Sequence, residues 1–169
     1  MGQQRLLIDR LWDGKQAWAL ERAEVTFSIG AEGLRLEVAA MFHGDPAPAL
    51  PPGRIEGLWD YEVVELFLAN EAGHYLELEL GPHGHYLALR FAGVRHLVSQ
   101  DLTLSYLAEI SGERWRGVAS APLSILPAGA DRANAYAIHG QGPDRRYLAA
   151  HAVPGPRPDF HQPQFFQPW

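Results

Sequence analysis

The chain has no cysteine and only one lysine, Lys15, among its 169 residues. The lack of cysteine excludes disulfide bonds and thiolate chemistry. The formal net charge is −6 and no cluster of arginine and lysine occurs, which argues against nucleic acid and anionic membranes as partners. No apolar run approaches the ~20 residues that a membrane-spanning helix requires.

The N-terminal segment, MGQQRLLIDRLWDG, is too charged and too short in apolar residues for a signal peptide, so we expect a cytoplasmic protein. The composition, 47% hydrophobic and 20% charged, is that of an ordinary globular domain. No linker or internal repeat divides the chain, and residues 1–169 are therefore predicted to form a single domain. The sequence does not indicate the oligomeric state.

Alternation of apolar and polar residues, with turns rich in glycine, proline and aspartate, predicts an all-β protein with little helix. The expected architecture is an antiparallel β-sandwich or jelly roll. Strands are predicted at 23–29, 34–42, 61–68, 75–80, 85–91, 102–110, 114–120, 132–139 and 145–150. The tail from Pro154 ends in aromatic residues and is expected to pack against the sheet.

Several short motifs occur in an order that resembles the family 9 carbohydrate-binding modules. They are VELFL at 64–68, YLELELGPHG at 75–84, Trp115 ahead of PL at 122–123, NAY at 134–136 and DFHQP at 159–163. The similarity extends over most of residues 23–169 and is greatest to stand-alone intracellular members of unknown function. The resemblance implies a jelly-roll fold and a sugar-binding ancestry.

Trp59 and Glu65 are the first candidate ligand-binding residues. A saccharide site needs an aromatic ring for the apolar face of a pyranose and a carboxylate that accepts hydrogen bonds from hydroxyl pairs. The resemblance implies the same pair, because a stacking tryptophan and a binding glutamate occur near this strand in the family. The alternative is that Trp59 fixes the 51–53 loop to the sheet and that Glu65 pairs with a basic neighbour.

A polar sheet face supplies further candidates. If residues 81–84 form a tight turn, position 80 lies opposite position 85, and the leucines of both strands face the core. The other face, expected to be in contact with water, would carry Tyr75, Glu77, Glu79, Tyr86 and Arg90. Covered by flanking loops, this face would form a binding cleft; left open, it would show ordinary cross-strand pairing.

Eight histidines raise the question of a metal site. His83 and His85 flank a turn, but residues two apart in a turning segment need not point the same way, and no HExxH spacing occurs. No metal ligand and no cofactor are therefore predicted. His161, in the FH motif of the tail, either closes one wall of the ligand site or caps a buried polar group.

Paired carboxylates also permit a catalytic hypothesis. Glu77 and Glu79 share a strand face at ~6–7 Å by strand rise, and glycosidases use two carboxyl groups at comparable separations. Both are expected to be exposed, with no apolar pocket to raise their pKa values, so no catalytic residue is assigned.

The leading hypothesis is a non-catalytic protein that binds a small saccharide or polyhydroxylated ligand on a concave sheet face. The candidate ligand-binding residues are Trp59, Glu65, Glu77, Tyr86, Arg90 and His161. The alternatives are an enzyme that acts on a sugar-like metabolite through Glu65, Glu77 or Glu79, and an intracellular interaction domain that has lost sugar binding. A deep pocket with a buried carboxylate would favour the enzyme, an open groove floored by aromatic residues would favour binding, and a flat salt-bridged face would favour interaction.

Overall fold

A computed structural model describes residues 2–169 as an all-β protein, as predicted. The strands in this range are β1 (Gln4–Ile8), β2 (Arg10–Leu11), β3 (Ala23–Gly30), β4 (Gly33–Met41), β5 (Gly53–Arg54), β6 (Val63–Ala69), β7 (His74–Leu80), β8 (His85–Ala92), β9 (Leu97–Ser99), β10 (Ser105–Ser111), β11 (Arg114–Ala121), β12 (Arg132–His139), β13 (Arg146–Ala149) and β14 (Gln167–Pro168). Short 3₁₀ turns occur at Ala19–Glu21, Leu58–Asp60, Leu123–Ile125, Gly142–Asp144 and Pro163–Phe165. Between residues 2 and 169, no helix is long and apolar enough to cross a membrane.

The strands form two sheets, which confirms the predicted β-sandwich. The five-stranded sheet has the order β1-β3-β4-β11-β10, and the nine-stranded sheet follows the order β2-β13-β12-β6-β7-β8-β5, with β14 beside β12 and β9 beside β8. The neighbours pair antiparallel except for the short parallel contact between β5 and β8. The hairpins β10–β11 and β12–β13 pair strands that are consecutive among the predicted ones.

The main core lies between the two sheets. Strands β6 and β7 contribute every second residue to it, as a pleated strand with one face in the core requires. These inward residues are Val64, Leu66, Leu68, Leu76, Leu78 and Leu80, and they pack with apolar residues of the five-stranded sheet. The predicted inward position of Leu78 is confirmed, because this side chain is 1% exposed.

The outer face of the nine-stranded sheet, which points away from the five-stranded sheet, is buried as well. All seven residues of β6 are buried, and a second apolar cluster covers this face. The C-terminal tail provides part of the cover: the Phe160 ring stacks on Tyr136, with ring centroids 3.9 Å apart and an interplanar angle of 8°. The expected packing of the tail is confirmed, and the expectation that this face contacts water is wrong.

The turn between β7 and β8 is one residue longer than predicted. Leu80 pairs with Tyr86 instead of His85, so the loop contains residues 81–85. Within the loop, the Gly81 N–H donates to the His85 carbonyl at 2.9 Å, and Gly84 adopts φ +85°, a conformation that favours glycine. Because neighbouring side chains point to opposite faces, the extra residue moves every side chain of β8 to the face opposite the predicted one.

Candidate functional site

A cavity of about 470 Å³ opens on the outer face of the nine-stranded sheet. Its size is typical of small-molecule sites, which are mostly apolar and contain a few polar groups. The aromatic lining residues are Trp59, Phe91, Tyr147 and Phe160. The charged and polar lining residues are Glu65, Glu77, Arg95, Asp159 and His161.

Three glutamates, which we call the glutamate cluster, lie side by side on the sheet beneath this cavity: Glu65, Glu77 and Glu79. Glu65 on β6 pairs directly with Glu79 on β7, and Glu77 shares the face of Glu79 because the two are two residues apart. One carboxylate oxygen of each lies within 4.8 Å of one oxygen from each of the other two. The residues are 2%, 4% and 0% exposed, so this is a buried cluster of acidic groups.

Burial dominates the protonation of the glutamate cluster. It raises the pKa of Glu77 to about 8. Burial, reinforced by the charge of Glu77, raises the pKa of Glu65 well above its usual range, and burial together with Glu65 and Glu77 does the same to the pKa of Glu79. The sequence-based expectation of exposed carboxylates without an apolar pocket is therefore wrong.

Among the described residues, most of the cluster's oxygens have no hydrogen-bond partner outside the cluster, whereas the carboxyl groups of Glu77 and Glu79 contact each other. Glu65 Oε2, Glu77 Oε2 and both carboxylate oxygens of Glu79 accept no hydrogen bond from any residue outside the cluster in the range 2–169. A buried polar atom without a partner costs free energy, so buried charges in proteins are normally paired or coordinate a metal. This arrangement leaves acceptor capacity that a ligand can satisfy.

His161 closes one wall of the cavity above Glu77. Its Nδ1 is 2.7 Å from the Tyr75 hydroxyl, which accepts a hydrogen bond from the Arg95 backbone N–H at 3.0 Å. Its own backbone N–H donates to Asp159 at 3.1 Å, and Asp159 also binds the Arg95 guanidinium at 2.8 Å. These contacts fix the imidazole ring and the segment of the tail that carries it.

The His161 imidazole supplies no positive charge to the glutamate cluster near pH 7. His161 Nε2 is 3.8 Å from Glu77 Oε2, but burial lowers the pKa of His161 to about 4, so the ring is neutral near pH 7. The Tyr75 hydroxyl already accepts from Arg95, which leaves its proton for Nδ1. In that arrangement Nε2 carries the hydrogen and points it towards Glu77.

Trp59 borders the cavity at its rim. The residue lies in the 3₁₀ turn Leu58–Asp60 and is 46% exposed. The guanidinium of Arg145 donates to the Trp59 carbonyl and, at 2.9 Å, to the Gly140 carbonyl. The same guanidinium lies 5.9 Å from the ring centroid of Tyr147. The backbone of Trp59 is therefore held in place while its indole remains accessible beside the cavity.

Two of the predicted site residues lie elsewhere. Tyr86 is buried in the main core, with its ring edge-on to Tyr106 at a centroid distance of 6.4 Å. Arg90 donates to the Ser124 carbonyl at 3.0 Å. Both belong to the inner face of β8 because of the longer turn, so the predicted platform that joins them to Glu77 is wrong. The structure brings together Trp59, Glu65, Glu77 and His161.

Other lining residues were missed by the sequence analysis. Phe91 falls on the core-facing side of its strand in the predicted register, and Phe160 belongs to the DFHQP motif without a predicted role. One signal was available for the burial of this face: β6 reads VVELFLA, and a nearly continuous apolar run is typical of a strand buried on both sides. No sequence signal links Arg95 to Asp159, which are 64 residues apart.

The histidines at the β7–β8 turn have separate partners. His85 Nε2 is 2.7 Å from the Leu50 carbonyl, and the His83 ring lies edge-on to Phe42 at 5.5 Å. In the part of the chain that the structure describes, only the glutamate cluster places three or more histidine, aspartate or glutamate ligand atoms close enough to hold one ion.

Comparison with solved structures finds a similar fold in a protein from Bacteroides uniformis that is provisionally described as carbohydrate-binding. The TM-score is 0.67, the sequence identity is 21%, and the match covers 96% of this chain and 84% of that chain. At this level of identity the likeness shows the fold alone. No protein-family model matches the chain, and the relationship to family 9 carbohydrate-binding modules stays a prediction.

Comparison with known sequences finds closer relatives. A UPF0462 protein from Danio rerio, a C4orf33 homologue, is 44% identical over 153 residues, which cover 85% of this chain and 78% of the relative. The homologue from Mus musculus is 39% identical, with 96% and 88% covered, and the protein from Homo sapiens is 37% identical, with 95% and 84% covered. With identities this high over most of both chains, the protein belongs to the UPF0462 family.

Proposed function

We propose that the protein binds a small polyhydroxylated ligand of the saccharide class in the cavity on the outer face of the nine-stranded sheet. The observation that carries the proposal is the pair of buried carboxyl groups, Glu65 and Glu77, with free oxygens in a cavity that has aromatic walls. Sugar recognition needs this combination, because a pyranose has an apolar face for a ring and hydroxyl pairs for acceptors.

The distribution of groups around the cavity supports a sugar-like ligand over an apolar one. Trp59, Phe91, Tyr147 and Phe160 offer ring surfaces at the rim and walls, and the acceptors lie at the floor. An apolar ligand would leave the buried oxygens without partners, which costs ~1–3 kcal/mol for each group. The similar fold of the Bacteroides uniformis protein, with its provisional carbohydrate-binding description, also supports this ligand class.

A thermal-shift screen tests the proposal. The panel contains monosaccharides, disaccharides, sugar phosphates and linear polyols at millimolar concentration. A ligand that binds only the folded state raises its apparent stability by RT ln(1 + [L]/Kd), so that even a weak ligand shifts the melting temperature. We expect at least one polyhydroxylated compound to raise the melting temperature, and a panel without any shift would contradict the proposal.

Trp59→Ala is expected to weaken binding of such a ligand by ~1–3 kcal/mol, about the contribution of burying a large apolar side chain. Calorimetric titration of the variant against the unmodified protein measures the loss. The matched control is Trp18→Ala, which removes an indole that is 66% exposed and does not line the cavity. Equal affinity of the Trp59→Ala variant and the control would show that the indole does not contact the ligand.

Glu65→Leu is expected to weaken binding by ~1–3 kcal/mol, because it removes both acceptor oxygens and leaves ligand hydroxyls facing an apolar side chain. Leucine keeps most of the side-chain volume, so the sheet should remain folded. The control is Glu109→Leu on β10, an exposed position on the other sheet. Titration calorimetry and circular dichroism of the two variants separate a loss of binding from a loss of structure.

Acid–base catalysis on a sugar-like metabolite is the second candidate function. It is favoured by the feature that the sequence analysis assigned to an enzyme, a pocket with buried carboxyl groups of raised pKa. Binding ranks first because all three carboxyl groups shift in the same direction, whereas an acid and a base working together need environments that separate their pKa values. Turnover of chromogenic glycosides that is lost in Glu77→Gln would reverse this order.

A further inference from the structure

The glutamate cluster concentrates acidic groups, and no arginine or lysine among the described residues forms a salt bridge with it. Across residues 2–169, the one basic group within salt-bridge distance of the cluster is His161, at 3.8 Å from Glu77. The nearest arginines are used elsewhere: Arg95 binds Asp159, and Arg145 donates to backbone carbonyls. Buried acidic groups of this kind are paired with a cation or remain protonated.

The positions of the oxygens fit a single ion. Hard divalent cations bind oxygen ligands at ~2.0–2.6 Å, so oxygens on opposite sides of one ion lie up to about 4–5 Å apart. The nearest oxygens of the three glutamates lie within 4.8 Å of one another. Four of the six carboxylate oxygens have no hydrogen-bond partner outside the cluster among the described residues, including both oxygens of Glu79, which is 0% exposed.

The backbone holds these ligands in a fixed arrangement. Glu65 and Glu79 are direct partners across the β6–β7 ladder, and Glu77 follows the same face of β7. Both strands lie in the middle of the nine-stranded sheet and are flanked by β12 and β8. A ligand set built on central strands is preorganised, because no side chain depends on a mobile loop for its position.

We propose that the glutamate cluster is a binding site for one hard divalent cation of the Ca²⁺, Mg²⁺ or Mn²⁺ class, held by Glu65, Glu77 and Glu79. The donor set is all oxygen and all carboxylate, which selects these ions over the softer Zn²⁺ and Cu²⁺. Such ions take six or more ligands, so three carboxylates leave coordination positions for other groups.

The free coordination positions face the cavity, because Glu65 and Glu77 line it. Water occupies them in the absence of a ligand, and neighbouring hydroxyl groups of a polyol replace that water when the ligand enters. This last step alone rests on the proposed function, whereas the cation site itself does not.

The test is calorimetric titration of the EDTA-treated, desalted protein with CaCl₂, MgCl₂ and MnCl₂ separately, with no saccharide present. We expect one ion to bind per chain and to raise the melting temperature. Glu79→Gln should weaken that binding by at least about tenfold, since even outer partners of metal ligands contribute ~10–100-fold to affinity. Glu109→Gln makes the same substitution at an exposed position of β10, and this variant should bind cations like the unmodified protein.

The proposal is overturned if none of the three ions binds at millimolar concentration, or if Glu79→Gln and Glu109→Gln have the same affinity. Circular dichroism checks the fold of each variant, and Glu65→Gln replaces Glu79→Gln if the latter does not fold. A second titration with a saccharide, in EDTA and in the preferred ion, separates the two proposals. If a saccharide binds in EDTA but no cation binds, the proposed function stands and the cation site is wrong. If a cation binds but no saccharide does, the cation site stands and the proposed function is wrong.

Discussion

Phe67→Ala should lower the free energy of unfolding by about 3–5 kcal/mol, the usual range for truncating a buried phenylalanine. Phe67 lies on the outer face of β6 and is 0% exposed. Its ring packs edge-on against Tyr136 at a centroid distance of 5.3 Å and against Phe166 at 5.7 Å, and it lies 6.0 Å from Tyr75. The substitution leaves a cavity in a layer that the sheet and the tail enclose from both sides.

Equilibrium unfolding in guanidinium chloride measures this loss for Phe67→Ala. The matched control is Phe165→Ala, in the same tail that covers the sheet, where the side chain is 38% exposed. The control should change the free energy of unfolding far less, because exposed substitutions usually stay within about 0.5 kcal/mol. A similarly small loss for Phe67→Ala would show that the outer face does not form a second core.

Local alternation was sufficient to predict most of the strands. The predicted strand at 132–139 coincides with β12, and the predicted strand at 85–91 differs from β8 by one residue. Glycine-containing turns separate several of these strands, because positive φ angles such as that of Gly112 favour this residue. The strands missed by the sequence are short or lie at the ends of the described chain, where alternation covers too few residues to be informative.

The register of β8 could not be predicted from hydrophobicity. Leu87, Leu89 and Phe91 form an apolar set, but the structure buries Tyr86 and Ala88 on the other face just as deeply. A hydrophobic pattern specifies the register when one face is buried and the other is in water. On a strand buried on both faces, a loop of four residues and a loop of five residues both place apolar side chains in the core. The geometry of the turn then determines the register.

The candidate site was predicted only in part for a related reason. The resemblance identified Trp59 and Glu65, and the FH motif identified His161. The burial that makes Glu65 and Glu77 unusual comes in part from tail residues 158–161, which fold back over the sheet from a distant part of the chain. The spacing of residues in the sequence does not show that distant segments will cover a sheet face, so the glutamates were expected to be exposed.

In the glutamate cluster, the residue types differ most from those that their buried positions in the sheet favour. Central strands buried on both faces are normally apolar throughout, and the buried parts of β6 and β7, which exclude the exposed His74, are apolar except for their acidic residues and Tyr75. Residues that do not suit their structural position occur mainly at functional sites, where the resulting loss of stability is tolerated. This departure, more than the fold, is the reason for placing both the ligand site and the cation site here.

Leu78→Ala should lower the free energy of unfolding by about 2–5 kcal/mol while leaving the outer face intact. Leu78 lies between Glu77 and Glu79 on β7, but its side chain points the opposite way, into the main core, where it is 1% exposed.

Chemical denaturation measures the loss for Leu78→Ala, and Leu107→Ala is the control, because that side chain on β10 is 78% exposed. At temperatures where the Leu78→Ala variant stays folded, it should bind cations and polyhydroxylated ligands like the unmodified protein, since the cavity lies on the other side of the sheet. Weaker binding by the folded Leu78→Ala variant, or a stability equal to that of the control, would contradict the assignment of opposite faces to Leu78 and its two acidic neighbours.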